Sequence, residues 1–252
     1  MAWSVAGRRL TAAAGSVTGD RYDANYDVLH LDPARPLTVV ADGMGDGRGS
    51  ARAGRTAVDV FAAAFTAPAA SPFPTPAALR AATARVHHAV RRAGRDLTEL
   101  TGCTLTAFVA APGDPEPAGW IVQLGDSRAY RLRDGLLDLL TIDHTVAWLG
   151  LLHGWFTAGS AEARAARYRL TRYAGHPEEP EPDIINVALH PGDVLLLCTD
   201  GVADQLTYES LTQILSAAPD PAEAVALLLD ATLTAGGADN ATAVVIRVEQ
   251  TI

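Results

Sequence analysis

The stretch LTVVADGMGDGRGSARAG, residues 37–54, combines three local signals. It begins with the apolar run Leu37 to Ala41, which is typical of a buried strand. The run ends at Asp42-Gly43, a pair that favours a turn, and a glycine-rich corner then leads into a helix predicted over Ala51 to Phe65. An acidic side chain is therefore expected where a buried strand ends and a helix is about to begin.

Three further acidic groups lie beside apolar runs in distant parts of the chain: Asp27, Asp200-Gly201 and Asp239-Asn240. Strand ends that are far apart in sequence can meet at one edge of a sheet, and carboxylates gathered there repel one another unless a cation lies between them. Oxygen ligands without His or Cys indicate Mg²⁺ or Mn²⁺ rather than zinc. These residues and Asp42 thus predict a site for a hard divalent cation.

The remaining pattern predicts two sheets with helices outside them. Strands are predicted at 24–31, 37–41, 103–110, 120–124, 127–132, 136–140, 183–188, 194–199 and 242–248, and helices at 51–65, 75–100, 206–216 and 221–235. The four strands between 103 and 140 are expected to form one meander, with turns at 113–115, 125–126 and 134–135. A loop is expected at 67–74. The strand signal fades over 145–181, which we interpret as an inserted flap.

This order of elements favours an α+β fold, specifically a four-layer α/β/β/α sandwich with two mainly antiparallel sheets and helices on both outer faces. A chain of 252 residues fits one domain, residues 1–252.

Composition limits the classes of partner. The formal net charge of −9 argues against nucleic acid and anionic membranes, and the sequence has no apolar run of about 18 residues that would span a membrane. Cys103 and Cys198 lie in apolar runs, as expected for buried free thiols in a reducing compartment. No export signal follows Arg8-Arg9, so we expect a cytoplasmic protein, and we expect it to be a monomer.

Taken in order, the acidic motifs and their neighbours resemble the metal-dependent protein phosphatases of the PPM type, the type 2C serine/threonine phosphatases. The matching segments are Asn25-Tyr26-Asp27, Val40 to Gly45, Gly102 to Leu105, Leu124 to Tyr130, Leu140 to His144, Leu170 to Arg172, Gly192 to Gly201 and Ala238 to Thr242. They extend over residues 16–248 in the family's order. The fold of that family is the same sandwich.

The resemblance implies hydrolysis of phosphoserine and phosphothreonine in proteins, with two Mn²⁺ or Mg²⁺ ions. Asp42 and Asp27 would be the catalytic carboxylates. Asp42 would bridge the ions, the Gly43 carbonyl would bind one of them, and Asp27 would hold a metal or its water. Asp200 and Asp239 would complete the set. Two metals about 3.5–4 Å apart can activate a water and neutralise the phosphoryl oxygens, so no Ser, Cys or His nucleophile is required.

The resemblance also implies roles for residues around this core. Asp126 and Asp204 match positions that bind a third, weaker metal in bacterial members. Asn240 would support the ligands, and Asp143-His144 would organise the local backbone.

Three features depart from the family's pattern. Tyr26 stands where the family usually carries a Glu that reaches the metal through water. Tyr22 stands where an Arg would grip the substrate phosphate, and Arg21 lies one residue early, so that a bulge is needed to bring it to that place. The glycine-rich corner also lacks the family's Glu.

Two alternatives stay open. One is a catalytically weak pseudophosphatase that acts as a regulatory binding module, which Tyr26 and the shifted Arg21 favour. The other is a two-metal enzyme that acts on another phosphoester, such as a nucleotide.

Overall fold

Two antiparallel sheets face each other in the computed structural model, which describes residues 1–66, 74–111 and 118–249. The strands are β1 (Ala2–Val5), β2 (Arg8–Val17), β3 (Asp27–Leu31), β4 (Leu37–Asp42), β5 (Leu105–Ala111), β6 (Ala118–Leu124), β7 (Arg128–Arg133), β8 (Leu136–Leu139), β9 (Asp183–Ala188), β10 (Val194–Cys198) and β11 (Ala241–Val248). One sheet has the order β1-β2-β11-β10-β7-β8, and the other has the order β3-β4-β5-β6-β9.

The described helices are α1 (Arg48–Thr66), α2 (Pro76–Ala93), α3 (Val146–Leu152), α4 (Ala161–Ala166), α5 (Asp200–Ala203), α6 (Tyr208–Ala217) and α7 (Pro221–Thr234). All of them except α3 and α4 cover the outer face of a sheet. Helices α1 and α2 share a core with the five-stranded sheet, and α5, α6 and α7 share one with the six-stranded sheet. A third core lies between the sheets. The predicted α/β/β/α sandwich is therefore confirmed.

Strand β4 shows why a mainly apolar run belongs in such a fold. Side chains alternate along a strand, so Leu37, Val39 and Ala41 pack beneath the helices, while Val40 points into the core between the sheets. Because both faces of the strand are buried, the positions before the half-buried Asp42 are apolar except Thr38. The Thr38 hydroxyl is buried too, and it donates a hydrogen bond to the His30 carbonyl at 2.8 Å.

Two sequence predictions about the strands were wrong. The four strands between 103 and 140 do not form one meander, because β5 and β6 belong to one sheet and β7 and β8 to the other. The chain crosses between the sheets at Gly125, whose φ of 100° suits glycine. The sequence pattern also missed β1 and β2. Strand β2 is rich in small residues because α7 lies close over it: a Cβ on Gly15 would be 2.8 Å from Val225 Cγ1.

The second predicted helix begins as expected but is shorter. Thr75 caps α2 by accepting a hydrogen bond from the Ala78 backbone N–H at 3.2 Å. The helix ends at Ala93, with Gly94 as its C-cap, and not near residue 100. The predicted turn at 113–115 and the loop at 67–74, except Pro74, lie outside the described residues.

The segment 145–181 carries α3 and α4 and no strand among the described elements, as the fading strand signal indicated. Among the described residues, we find no helix with the length and apolar character needed to cross a bilayer. Cys103 and Cys198 are buried free thiols, as predicted.

Candidate active site

Asp27 and Asp42 lie directly opposite each other where β3 pairs with β4. Asp27 Oδ2 accepts hydrogen bonds from the hydroxyls of Thr199 (2.8 Å) and Thr242 (2.7 Å). Asp27 Oδ1 is buried and has no hydrogen-bond partner. Burial raises the pKa of Asp27 to about 7 despite those two hydrogen bonds, and nearby Asp200 and Asp239 add to the rise. The free oxygen of Asp27 therefore needs a proton or a cation.

Asp42 and Asp200 form the centre of the acidic cluster. The Asp42 backbone N–H donates to Thr104 Oγ1 at 2.8 Å, which fixes the end of β4. Burial raises the pKa of Asp42 well above its ordinary value, and the charges of Asp200 and Asp27 raise it further. Burial and then the charge of Asp239 also raise the pKa of Asp200, whose Oδ1 is buried without a partner.

Two glycines allow the chain to bring Asp239 to this cluster. A Cβ on Gly19 would lie 2.2 Å from the Asp239 carbonyl oxygen, and a Cβ on Gly201 would lie 2.0 Å from that of Asn240. Any side chain at either position would collide with backbone. The tight contact between these loops thus explains why glycine follows Asp200.

These side chains surround a cavity of about 630 Å³. The lining residues are Arg21, Tyr22, Tyr26, Asp42, Gly43, Met44, Gly45, Leu100, Thr104, Asp126, Tyr168, Leu170, Asp200, Asp239 and Asn240. Asp27 does not line the cavity itself, but it pairs across the strands with Asp42, which does. Burial, followed by the charges of Asp200 and Asp143, raises the pKa of Asp126 to about 8.

Asp204 is placed differently from the other predicted ligands. It lines a smaller neighbouring cavity of about 160 Å³, which shares Arg21, Asp200 and Asp239 with the larger one. Its carboxylate forms an ion pair with Arg167 from the flap. A metal ion at Asp204 would have to compete with Arg167 for the carboxylate. Metal binding by Asp204 stays a prediction.

The donor set suits a hydrated divalent cation. Among the described residues, no three His, Cys, Asp or Glu side chains converge closely enough to enclose an ion by themselves. Mg²⁺ commonly keeps several waters and binds through only one or two carboxylates, so a ready-made cage is not required. The unpartnered, buried Oδ1 atoms of Asp27 and Asp200 are the positions where added positive charge would relieve the repulsion.

The residues that depart from the expected pattern also reach the cavity. Arg21 lines it, and its guanidinium lies over the Tyr22 ring, 5.3 Å from the centroid. The Tyr26 hydroxyl donates to the Asp46 carbonyl at 2.6 Å, and its backbone N–H donates to Asn240 Oδ1 at 2.8 Å. Tyr26 therefore braces the glycine-rich corner.

The sequence pattern missed the hydroxyls that orient the carboxylates. Thr199 and Thr242 hold Asp27, and the Thr104 hydroxyl also contacts Ser127 Oγ at 2.7 Å. The only sequence signal was the Thr that immediately precedes Asp200.

Asp143-His144 organises the backbone as expected. Asp143 accepts two hydrogen bonds from the Arg128 guanidinium (2.9 and 2.6 Å), and His144 Nδ1 accepts one from the Gly125 N–H at 3.3 Å. Both contacts hold the turn that carries Asp126.

Comparisons with known proteins identify the family of this chain. The protein phosphatase 2C family model matches residues 12–234. The serine/threonine protein phosphatase PstP of Mycobacterium tuberculosis is 36% identical over 148 residues, which make up 58% of this chain but only 27% of PstP. The alignment thus leaves most of that relative unmatched.

Solved structures match over nearly the whole chain. The PPM Ser-Thr phosphatase MsPP from Mycobacterium smegmatis, in complex with cacodylate, is 33% identical with a TM-score of 0.80 and covers 94% of this chain and 97% of its own. The catalytic domain of PstP in complex with two manganese ions is 30% identical with a TM-score of 0.77, covering 96% and 99%. Because the family model matches most of the residues, this chain belongs to the protein phosphatase 2C family.

Proposed function

We propose that this protein is a serine/threonine protein phosphatase that uses two Mn²⁺ or Mg²⁺ ions. The observation that carries the proposal is the cavity of about 630 Å³, around which Asp42, Asp126, Asp200 and Asp239 gather. Phosphorylated proteins are the substrate class, because the relatives that match most of this chain are Ser/Thr phosphatases.

The chain's own residues have distinct roles in the proposed reaction. Asp42 and Asp200 supply the central carboxylates, with the Gly43 carbonyl beside them, and Asp239 completes the set. Asp27 is oriented so that one oxygen is free. Bound divalent ions would lower the pKa of the attacking water and neutralise charge on the phosphoryl oxygens. Asp126 would bind a third ion, and Asp204 is its proposed second ligand.

Arg21 is the proposed phosphate-binding residue. It is exposed and lines both the main cavity and the neighbouring one. A guanidinium at this rim can form paired hydrogen bonds with a phosphoryl group as the substrate enters.

A catalytically weak pseudophosphatase is the second candidate. It is favoured by Tyr26, whose hydroxyl is committed to the Asp46 carbonyl and supplies no carboxylate. Loss of a group that orients metal-bound water typically costs about 10–100-fold in activity or metal affinity.

One experiment separates the two candidates. Phosphate release from a phosphothreonine peptide is measured with Mn²⁺, with Mg²⁺ and with EDTA, and metal binding is measured by calorimetry on the same protein. Metal binding with EDTA-sensitive turnover supports the phosphatase. Metal binding without turnover supports the pseudophosphatase, and full turnover after exhaustive chelation contradicts the metal proposal.

A further inference from the structure

The first two turns of α1 carry three arginines on one face. Arg48, Arg52 and Arg55 are separated by four and three residues, the spacing that places side chains next to one another along a helix. With Ala51 and Thr56 they line an open groove of about 470 Å³. This groove is a local concentration of positive charge on a chain whose formal net charge is −9.

This arrangement does not serve the helix itself. The first turn of α1 contains no acidic residue of its own, and positive charge near a helix N-terminus opposes the helix dipole. The Glu99 carboxylate, which accepts a hydrogen bond from the Gly49 N–H at 2.8 Å, offsets only part of that cost. Like charges at this spacing also repel one another. A locally unfavourable pattern of this kind is expected where residues are kept for a function.

Two of the three guanidinium groups are free to bind a partner. Arg52 donates to the Ala93 carbonyl at 2.9 Å and pairs with Asp96 at 2.6 Å. Arg48 and Arg55 are exposed, and neither guanidinium makes a hydrogen bond or ion pair within the described part of the chain.

The groove begins beside the acidic cavity. Gly45 lines that cavity, and Arg48 follows it by three residues, a chain distance of at most about 10 Å. Arg55 lies seven residues further along the helix, about 10 Å at a rise of about 1.5 Å per residue. An extended peptide advances about 3.3 Å per residue. A peptide that leaves the cavity at Gly45 and follows α1 would therefore reach Arg48 within about three residues and Arg55 within about six.

We propose that the Arg48–Arg55 groove recognises acidic side chains of the phosphoprotein substrate, three to six residues from the phosphorylated position. The proposal rests on the proposed phosphatase function, and it adds a sequence preference to it. We infer an acidic ligand from charge complementarity, because the guanidinium groups of Arg48 and Arg55 can each bind a carboxylate.

The test compares matched phosphothreonine peptides. One carries Glu at the third to sixth positions before the phosphoresidue, one carries Glu at the third to sixth positions after it, and each has a counterpart with Gln. The variants are R48Q/R55Q and the control R85Q. Arg85 is an exposed arginine on α2 that does not line the groove.

The wild-type protein should prefer one Glu peptide over its Gln counterpart by about 2- to 30-fold in kcat/KM, as expected for two exposed ion pairs. The preference should disappear in R48Q/R55Q, persist in R85Q and weaken near about 1 M salt, where screening is strong. Hydrolysis of p-nitrophenyl phosphate should be the same in all three proteins. A preference that survives in R48Q/R55Q, or no preference in the wild type, overturns the proposal.

Binding distinguishes failure of this proposal from failure of the phosphatase function. Fluorescence anisotropy of the labelled peptides in EDTA measures the Glu preference without turnover. If nothing is hydrolysed, the phosphatase function fails, while the anisotropy still decides the groove. A DNA oligonucleotide is added as a competitor. If the DNA displaces the Glu peptide from the wild-type protein, and the protein binds the DNA more tightly than the peptide, the groove is assigned to nucleic acid and the inference is overturned.

Discussion

Replacing Asp27 with Asn is expected to stabilise the metal-free protein at pH 8. The Asn Oδ1 can still accept the hydrogen bonds from Thr199 and Thr242. The substitution removes a charge that the fold holds at a cost, because burial and the neighbouring carboxylates raise the pKa of Asp27 from 3.8 to about 7.

The size of the effect follows from that shift. A rise from 3.8 to about 7 is about 3 pH units, or about 4 kcal/mol of unfolding free energy at about 1.4 kcal/mol per unit. The amide NH₂ of Asn needs its own partner, which offsets about 1–3 kcal/mol. A net gain of about 1–3 kcal/mol corresponds to a rise in Tm of about 2–12 °C for a protein of this size.

The stability advantage of Asp27→Asn should increase with pH. A carboxyl whose pKa is raised in the folded state destabilises the fold above that pKa, and the cost disappears as the pH falls toward 3.8. The Tm advantage of Asp27→Asn should therefore be largest at pH 8 and shrink steadily between pH 7 and pH 4.

The assay is thermal unfolding in EDTA at pH 8, 7, 6 and 5. Asp59→Asn is the control, since it removes an equal charge from the exposed face of α1. Mn²⁺ at 100 times its Kd should add about 2.7 kcal/mol to the free energy of unfolding of the wild type and so raise its Tm. The same Mn²⁺ concentration should raise the Tm of Asp27→Asn by less. A variant that is less stable than the wild type at pH 8 in EDTA, or an advantage that grows as the pH falls, would refute the reasoning.

Three further outcomes are expected. Asp42→Asn or Asp239→Asn should lower phosphatase turnover at saturating Mn²⁺ by at least about 10–100-fold, with folding retained in circular dichroism; near wild-type turnover would contradict the two-metal proposal. Tyr26→Glu should tighten Mn²⁺ binding or raise turnover, because a carboxylate there can orient metal-bound water; unchanged affinity, turnover and Tm would show that the position does not matter. Gly201→Ala should lower Tm and Mn²⁺ affinity together, since its Cβ would lie 2.0 Å from the Asn240 carbonyl; wild-type values for both would contradict the account of that tight contact.

The meeting of Asp27 and Asp42 could be predicted in outline from the sequence, because each lies beside an apolar run. Charged side chains are rarely buried in the middle of a strand, and strand ends collect at sheet edges. The direct opposition of the two residues across β3 and β4 depends on strand register, which the hydrophobic pattern does not contain when both faces are buried.

The errors have physical causes of the same kind. Strand β2 was missed because its small residues reflect the close approach of α7, and small residues carry no strand periodicity. The expected meander was wrong because a two-residue turn looks the same in sequence whether the chain stays in one sheet or crosses at Gly125. The hydroxyls of Thr199 and Thr242 were overlooked because they point at Asp27 only after β10 and β11 pair.

Tyrosines occupy positions 22 and 26, where the resemblance to the family predicts Arg and Glu. Their rings meet edge to face, with centroids 5.9 Å apart, and Tyr26 ties the corner at Asp46 to the strand that carries Asp27. An additional carboxylate at position 26 would add repulsion to a cluster in which burial already raises the pKa of Asp42. Tyr26 supplies the bracing without that charge. The expected consequence is a metal-free fold that is more stable, and a cluster that draws cations less strongly, than the same site with Glu.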